Sequence, residues 1–170
     1  LLLLAGEETG SFGDKAFNPL ISSDPTVKDA WLIVGEPTDN CMASAAKGTK
    51  SFEVTFEGEA FHSGYPEHGR SAVEMFLDFM NRLRAAELPV DSELGETTWN
   101  VGQLNSDNPQ NILSPELRCR IYFRTTFASD EAVCSFMHQH AGADICVVAR
   151  GGDTPSRYLT LDGLPPKTVA

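Results

Sequence analysis

The sequence predicts an α/β protein in which a smaller α+β unit is inserted into part of a larger sheet. Three observations predict it. Two apolar runs without alternation stand near the start, a block of alternating strands and amphipathic helices follows, and strand-and-turn sequence returns at the end.

The elements follow in order. Residues 1–5 ("LLLLA") and 31–34 ("WLIV") are continuous apolar runs that each lead into Gly-Glu, and the sequence between them is polar and turn-rich. Such runs suit strands covered on both faces, as in a parallel sheet. In "SFEVTFEGEA", Phe52, Val54 and Phe56 alternate with Glu53, Thr55 and Glu57, the pattern of a strand with one wet face. A helix is expected over about residues 70–86, with Ala72, Val73, Phe76, Leu77, Met80 and Leu83 facing inward and Pro89 closing it off. Two strands follow, "TTWNVGQL" and "ELRCRIYFRTT". In the second, Leu117, Cys119, Ile121 and Phe123 alternate with Arg118, Arg120, Tyr122 and Arg124. Ser129 is a plausible N-cap for a second helix, and Asp130 and Glu131 favour the positive end of its dipole. That helix turns Val133, Phe136 and Met137 inward and stops near Gly142; "DICVVAR" is the fourth strand. The order β-α-β-β-α-β is the ferredoxin-like pattern: a four-stranded antiparallel sheet with both helices on one face. Residues 47–153 are therefore expected to form the inserted domain, and residues 1–46 with 154–170 to be part of the larger α/β domain.

Composition narrows the function classes. The chain has 170 residues, is 41% hydrophobic and carries a formal charge of −11. A surface that acidic argues against nucleic acid or anionic membrane as partners, since both need clustered Lys and Arg. Residues 1–4 are far too few to span a bilayer, and no basic segment precedes them, so no signal peptide is expected. Cys41, Cys119, Cys134 and Cys146 form no Cys-x-x-Cys pair and sit in apolar stretches. They are expected to be small buried hydrophobes in a reducing, cytoplasmic setting. The chain starts in mid-strand without a methionine, which suggests a piece of a longer protein.

Glu7 and Glu8 stand side by side just after the first apolar run, and Glu36 follows the second in "VGEPT". Acids after a strand also occur as solvated turn residues. In open α/β sheets, however, ligands sit beyond the carboxyl ends of the strands. If the two strands are parallel, three carboxylates converge on one rim, where a cation would relieve their repulsion. Hard oxygen ligands do not single out zinc, since Mg or Mn would also fit. "FHSGYPEHG" holds His62 in a loop punctuated by Gly and Pro, where it is either an ordinary surface histidine or a constrained functional one. His138 and His140 lie two apart on a helix and so do not share a face; they and His68 are read as surface residues.

"GEETG", then "GEPT" with Glu36 29 residues after Glu7, then "HSGYP" in an inserted βαββαβ domain, resembles the di-zinc aminoacyl hydrolases of metallopeptidase family 20. The likeness is nearest to acetylornithine deacetylase and succinyl-diaminopimelate desuccinylase. "NILSP" and "FRTT" fall where that family carries an Asn-containing loop and an arginine on the inserted domain. The resemblance implies a zinc-dependent amidohydrolase acting on an N-acyl amino acid or small peptide. It implies two zinc ions per active site, with cobalt or manganese as substitutes. Glu7 would be the general base and acid, and Glu8 and Glu36 would each ligate one metal. His62 would reach across a homodimer, formed through the inserted dimerisation (lid) domain, and stabilise the oxyanion in the partner's site. Asn111 and Arg124 would hold substrate, the arginine matched to a carboxylate. Lys47 and Lys50 both lie near a basic family position.

The chain also departs from the family. Its His-x-Asp segment and bridging Asp would precede Glu7, and its last metal-binding His would follow residue 170. Two carboxylate ligands remain where a catalytic zinc has three protein ligands. The 170-residue chain is therefore expected to be metal-free and inactive by itself. A non-catalytic module acting only in self-association is the alternative. A small-molecule-sensing ferredoxin-like domain would leave the two Gly-Glu strand ends unexplained.

Overall fold

In a computed structural model, the structure describes residues 3–6, 10–26, 35, 38–39 and 41–158. The chain divides into two units, Leu1–Cys41 and Met42–Ala170.

In the first unit, residues 3–6 belong to no strand, and Leu3 and Leu4 are exposed. The buried strand expected at residues 1–5 is thus not formed at its described positions. Their backbone goes elsewhere: Ala5 O accepts from Gly13 N–H at 3.0 Å and Gly6 O from Ser11 N–H at 2.7 Å. The carbonyls that a neighbouring strand would have engaged are taken by the start of a helix, α1 (Phe12–Ile21). This helix falls where turn-rich sequence was expected. Phe12, Ala16 and Leu20 recur at four-residue spacing, and Pro19 stands inside it at the loss of one helical hydrogen bond. The second expected strand, residues 31–34, lies outside the described residues.

The second unit follows the expected order. Its strands are β1 (Ala45–Ala46), β2 (Gly48–Glu57), β3 (Thr98–Asn105), β4 (Glu116–Thr125), β5 (Ile145–Thr154) and β6 (Arg157–Tyr158). Its helices are α2 (Ala72–Ala85) and α3 (Asp130–Gln139). The four-stranded sheet runs β3-β4-β2-β5 with every pair antiparallel, and β1 pairs with β6 in a separate short ladder. Strand parity sorts the two faces. Phe52, Val54 and Phe56 lie opposite Ile121, Cys119 and Leu117, and all six are at most 2% exposed. Ala72, Phe79, Met80 and Leu83 of α2 and Val133 and Met137 of α3 close over them in one core. Phe56 meets Phe76 and Phe79 edge-on, at 5.8 and 5.6 Å between ring centroids. Truncating a ring buried this fully costs about 3–5 kcal/mol.

Two details of the helices differ from expectation. On α2, Leu77 is 45% exposed whereas Phe79 is 2% exposed. At about 100° per residue, Phe79 falls on the line of Ala72, Phe76 and Leu83, and Leu77 lies a quarter-turn or more off it. At the start of α3, Ser129 occupies the N-cap position without capping the helix. Its hydroxyl turns back to accept Thr126 N–H at 3.0 Å.

Among the described residues no helix is long and apolar enough to cross a membrane. The four cysteines are free, but only Cys119 is buried and Cys134 half-buried; Cys41 and Cys146 are exposed, contrary to the expectation of buried hydrophobes. For Cys146 the cause is parity, because it lies opposite Thr55 on the outer face of the sheet.

Candidate functional site

The loop between β2 and α2 carries His62, and its base is tightly closed. Glu59 and Arg70 exchange both backbone hydrogen bonds, at 2.7 and 2.9 Å. Gly58 N–H donates to Pro115 O at 2.8 Å, and a Cβ on Gly58 would come within 2.3 Å of Arg70 O and 2.5 Å of Ser114 O. Only glycine lets these three segments meet. Higher in the loop, His62 bridges Ile112, Leu113 N–H donates to Phe61 O, and Ser63 N–H donates to Asn111 O, the last two at 2.8 Å. His62 and Asn111, named separately from the sequence, are thus brought together on two adjoining backbone segments.

The segment bearing Asn111 is held from behind. Asn108 Nδ2 donates to Ile112 O at 2.8 Å, Ser106 Oγ donates to Asn108 Oδ1 at 3.0 Å, and the Ser106 and Ser114 hydroxyls meet at 2.6 Å. Ser114 is 1% exposed. The sequence reading missed this network, although the Ser, Asn and Pro of "NSDNPQN" are turn-forming residues. His62 and Asn111 are exposed, and among the described residues no hydrogen bond engages the Asn111 amide or His62 Nε2. The other ring nitrogen, Nδ1, accepts Gly64 N–H at 3.0 Å. Tyr65 lies beside His62 with 6.0 Å between ring centroids, another neighbour missed from sequence.

Arg124 lies elsewhere. It points outward from β4, opposite Thr49 and Thr98, with its guanidinium 5.2 Å from the centre of the Tyr122 ring. No described carboxylate pairs with it. The Asn111 loop enters β4 at Glu116, eight residues earlier, and at 3.3–3.4 Å per residue Arg124 stands about 27 Å further along the strand. Arg124 thus lies apart from the His62 and Asn111 segments within one chain.

The remaining candidates sort as follows. Glu7, Glu8 and Glu36 lie outside the described residues. The Lys50 side chain is 11% exposed and its ammonium sits between Asp153 at 2.7 Å and Asp130 at 3.1 Å. Burial opposes its charge, but hydrogen bonds to Asp153 and Asp130 outweigh that and raise it above the ordinary lysine range. Lys47 donates to Glu96 O. His68 and His138 are exposed, as expected. His140 is half-buried instead, stacked on Phe136 at 4.2 Å with Nδ1 2.9 Å from Phe136 O. Among the described residues, no group of three His, Cys, Asp or Glu side chains could hold a metal ion.

Comparison with known proteins identifies a family. The sequence profile of the peptidase dimerisation domain matches residues 44–142. A peptidase M20 domain-containing protein of Schizosaccharomyces pombe is 36% identical over 124 residues, covering 73% of this chain and 30% of that protein. A protein of Neosartorya fischeri named "Probable carboxypeptidase" is 34% identical over 142 residues, covering 78% of this chain and 32% of that one. Among solved structures, aminopeptidase PepT of Bacillus cereus superposes with a TM-score of 0.54 over 71% of this chain and 33% of its own, at 20% identity, a likeness of fold alone. The chain spans about a third of the length of the curated relatives it matches. Through its peptidase dimerisation domain, the chain belongs to the M20 peptidase family.

Proposed function

We propose that this chain is part of a metal-dependent hydrolase of amide or peptide C–N bonds, and that residues 47–153 are the domain through which two copies pair. The substrate class we propose is an N-acyl amino acid or small peptide, whose free carboxylate beside the scissile amide suits Arg124. Acetylornithine deacetylase-like specificity is one member of that class, and the carboxypeptidase name of the relatives fits it equally.

The observation that carries this reading is that the backbone segments of His62 and Asn111 adjoin at one end of the sheet, open toward solvent, while Arg124 stands about 27 Å along β4 from the point where the Asn111 loop joins it. An extended dipeptide spans only about 7 Å. It is too short to run the length of β4 within one chain, and the proposed pairing would bring Arg124 of one copy to the His62 and Asn111 segments of the other. His62 then donates to the oxygen on which charge develops, Asn111 orients the same group, and Arg124 holds the carboxylate. Glu7 is the proposed proton shuttle, and Glu8 and Glu36 the proposed ligands of two zinc ions in the intact enzyme. When bound, such ions polarise the carbonyl and acidify the attacking water. Two carboxylates are fewer than the three protein ligands of a catalytic zinc, and no cluster among the described residues supplies a third. The free thiols support a reducing, cytoplasmic setting.

Mixing two inactive variants of the full-length enzyme, His62→Ala and Glu7→Gln, tests the shared site. Hybrid dimers hold one site with both residues intact, so activity returns on mixing. If His62→Ala alone keeps full activity, or if mixing restores none, the shared-site mechanism fails. The first result would favour the alternative, a module that serves only self-association.

A further inference from the structure

We infer that Gly64 is a positioning residue that fixes His62 in the Nε2–H tautomer, aiming a single donor out of the loop. The inference rests on the reading that His62 donates to a developing oxyanion.

A neutral imidazole carries one N–H, and the nitrogen that accepts a hydrogen bond is the one without it. His62 Nδ1 accepts Gly64 N–H at 3.0 Å, so the proton resides on Nε2. The backbone around this bond is pinned on both sides. Ser63 N–H is held by Asn111 O at 2.8 Å and Tyr65 N–H by His62 O at 2.9 Å. The amide between them therefore points at the ring as part of a closed turn, and Pro66 opens the short 3₁₀ turn that follows. Nε2 faces away from the bond on an exposed ring, and among the described residues no hydrogen bond engages it. A hydroxyl or carboxylate in the place of Gly64 N–H would select the tautomer by other means, but neither is present on Nδ1.

Glycine also leaves the ring its space. A Cβ on residue 64 would stand 3.1 Å from His62 Nδ1 and 3.3 Å from Cε1, closer than side-chain carbons ordinarily approach. With alanine the ring would have to give by a few tenths of an ångström, which lengthens its bond to the amide. The glycine of "HSGYP" thus serves the histidine two positions before it, through its amide and through its lack of a side chain.

The test is a ring-nitrogen spectrum of the uniformly ¹⁵N-labelled chain, assigned with His62→Gln, at a pH where the ring is neutral. The expected result is a pyridine-type Nδ1 and a pyrrole-type Nε2, with a through-hydrogen-bond coupling between Nδ1 and the Gly64 amide nitrogen. Gly64→Ala should abolish the coupling and move the ring shifts toward a tautomer mixture, while the amide spectrum of the sheet stays unchanged. A protonated Nδ1, or a ring spectrum that Gly64→Ala leaves untouched, would overturn the inference. In the full-length enzyme Gly64→Ala should lower kcat by about tenfold with KM little changed, less than the roughly 10²–10³ expected for losing an oxyanion donor outright. The two ideas fail separately. An active His62→Ala enzyme refutes the oxyanion role whatever the tautomer, and an unexpected ring spectrum refutes the role of Gly64 whatever the activity.

Discussion

Cys119 and Cys146 sit on strands that flank β2 from either side, and one residue of register gives them opposite fates. Cys119 lies opposite Val54, is 1% exposed, and burial pushes its thiol up to about 11. Cys146 lies opposite Thr55 and is exposed. At pH 8 the Cys119 thiol is then about 10²-fold poorer in thiolate than a cysteine at its ordinary value near 8.5–9, besides being shielded. Maleimide labelling followed by peptide mass spectrometry should find Cys41 and Cys146 modified in the native chain and Cys119 modified only after unfolding. Rapid native labelling of Cys119 would contradict the strand register. Alternation made Cys119 legible from sequence, because Leu117, Ile121 and Phe123 share its parity. "DICVVAR" is apolar at nearly every position, and Cys146 could be placed only once the pairing was known.

At the scale of elements, the short β1–β6 ladder is held by a contact between distant segments. Asp91 accepts Glu93 N–H at 2.9 Å and Leu94 N–H at 3.0 Å, and Tyr158 donates its hydroxyl to the same carboxylate at 2.9 Å. The Tyr158 ring stacks on Phe127 at 4.8 Å. The Leu94 amide first, then that of Glu93, and to a lesser degree the Tyr158 hydroxyl hold the Asp91 carboxyl below its ordinary 3.8. Since the folded value lies below the unfolded one, the contact contributes fully above about pH 4 and is lost as pH falls through the folded value. Hydrogen exchange, corrected for intrinsic rates, should show the amides of β1 and β6 losing protection on acidification before those of β2 and β4. Asp91→Asn should weaken the ladder at every pH and remove that acid dependence. Equal acid sensitivity in the variant would refute the role given to Asp91. None of this was legible in the sequence, because the partners are 67 residues apart and neither stands in a periodic pattern. The four sheet strands were legible because alternation encodes which face is buried. The α1 helix was hidden because Gly13 and Pro19 are poor helix formers, and because the capture of Ala5 and Gly6 carbonyls is a backbone event without a side-chain pattern.

For the whole molecule, the separation of Arg124 from the His62 and Asn111 segments within one chain sets the strongest expectation. The resemblance grouped Asn111 with Arg124 as substrate-holding residues and sent His62 across a homodimer, and order along the chain could not reveal that the length of β4 separates Arg124 from the His62 and Asn111 segments. Antiparallel pairing can bring far positions together, yet His62 and Asn111 meet near the Glu116 end of β4 while Arg124 lies near its opposite end. Bending β4 to close that gap would break its pairing with β2, which runs unbroken from Glu57↔Glu116 to Gly48↔Thr125. A second copy can supply the missing half at no such cost. Self-association thereby becomes part of the proposed chemistry, and it should precede and not depend on catalysis. Light scattering of the 170-residue chain should show a dimer whose population rises with concentration, and His62→Ala should leave that equilibrium unchanged, because the residue acts on substrate. Elemental analysis of the same dimer should find less than stoichiometric zinc, since two carboxylate candidates fall short of a three-ligand site. A chain that stays monomeric at high concentration would leave His62 and Arg124 without a common substrate, and the shared-site mechanism would fall with it.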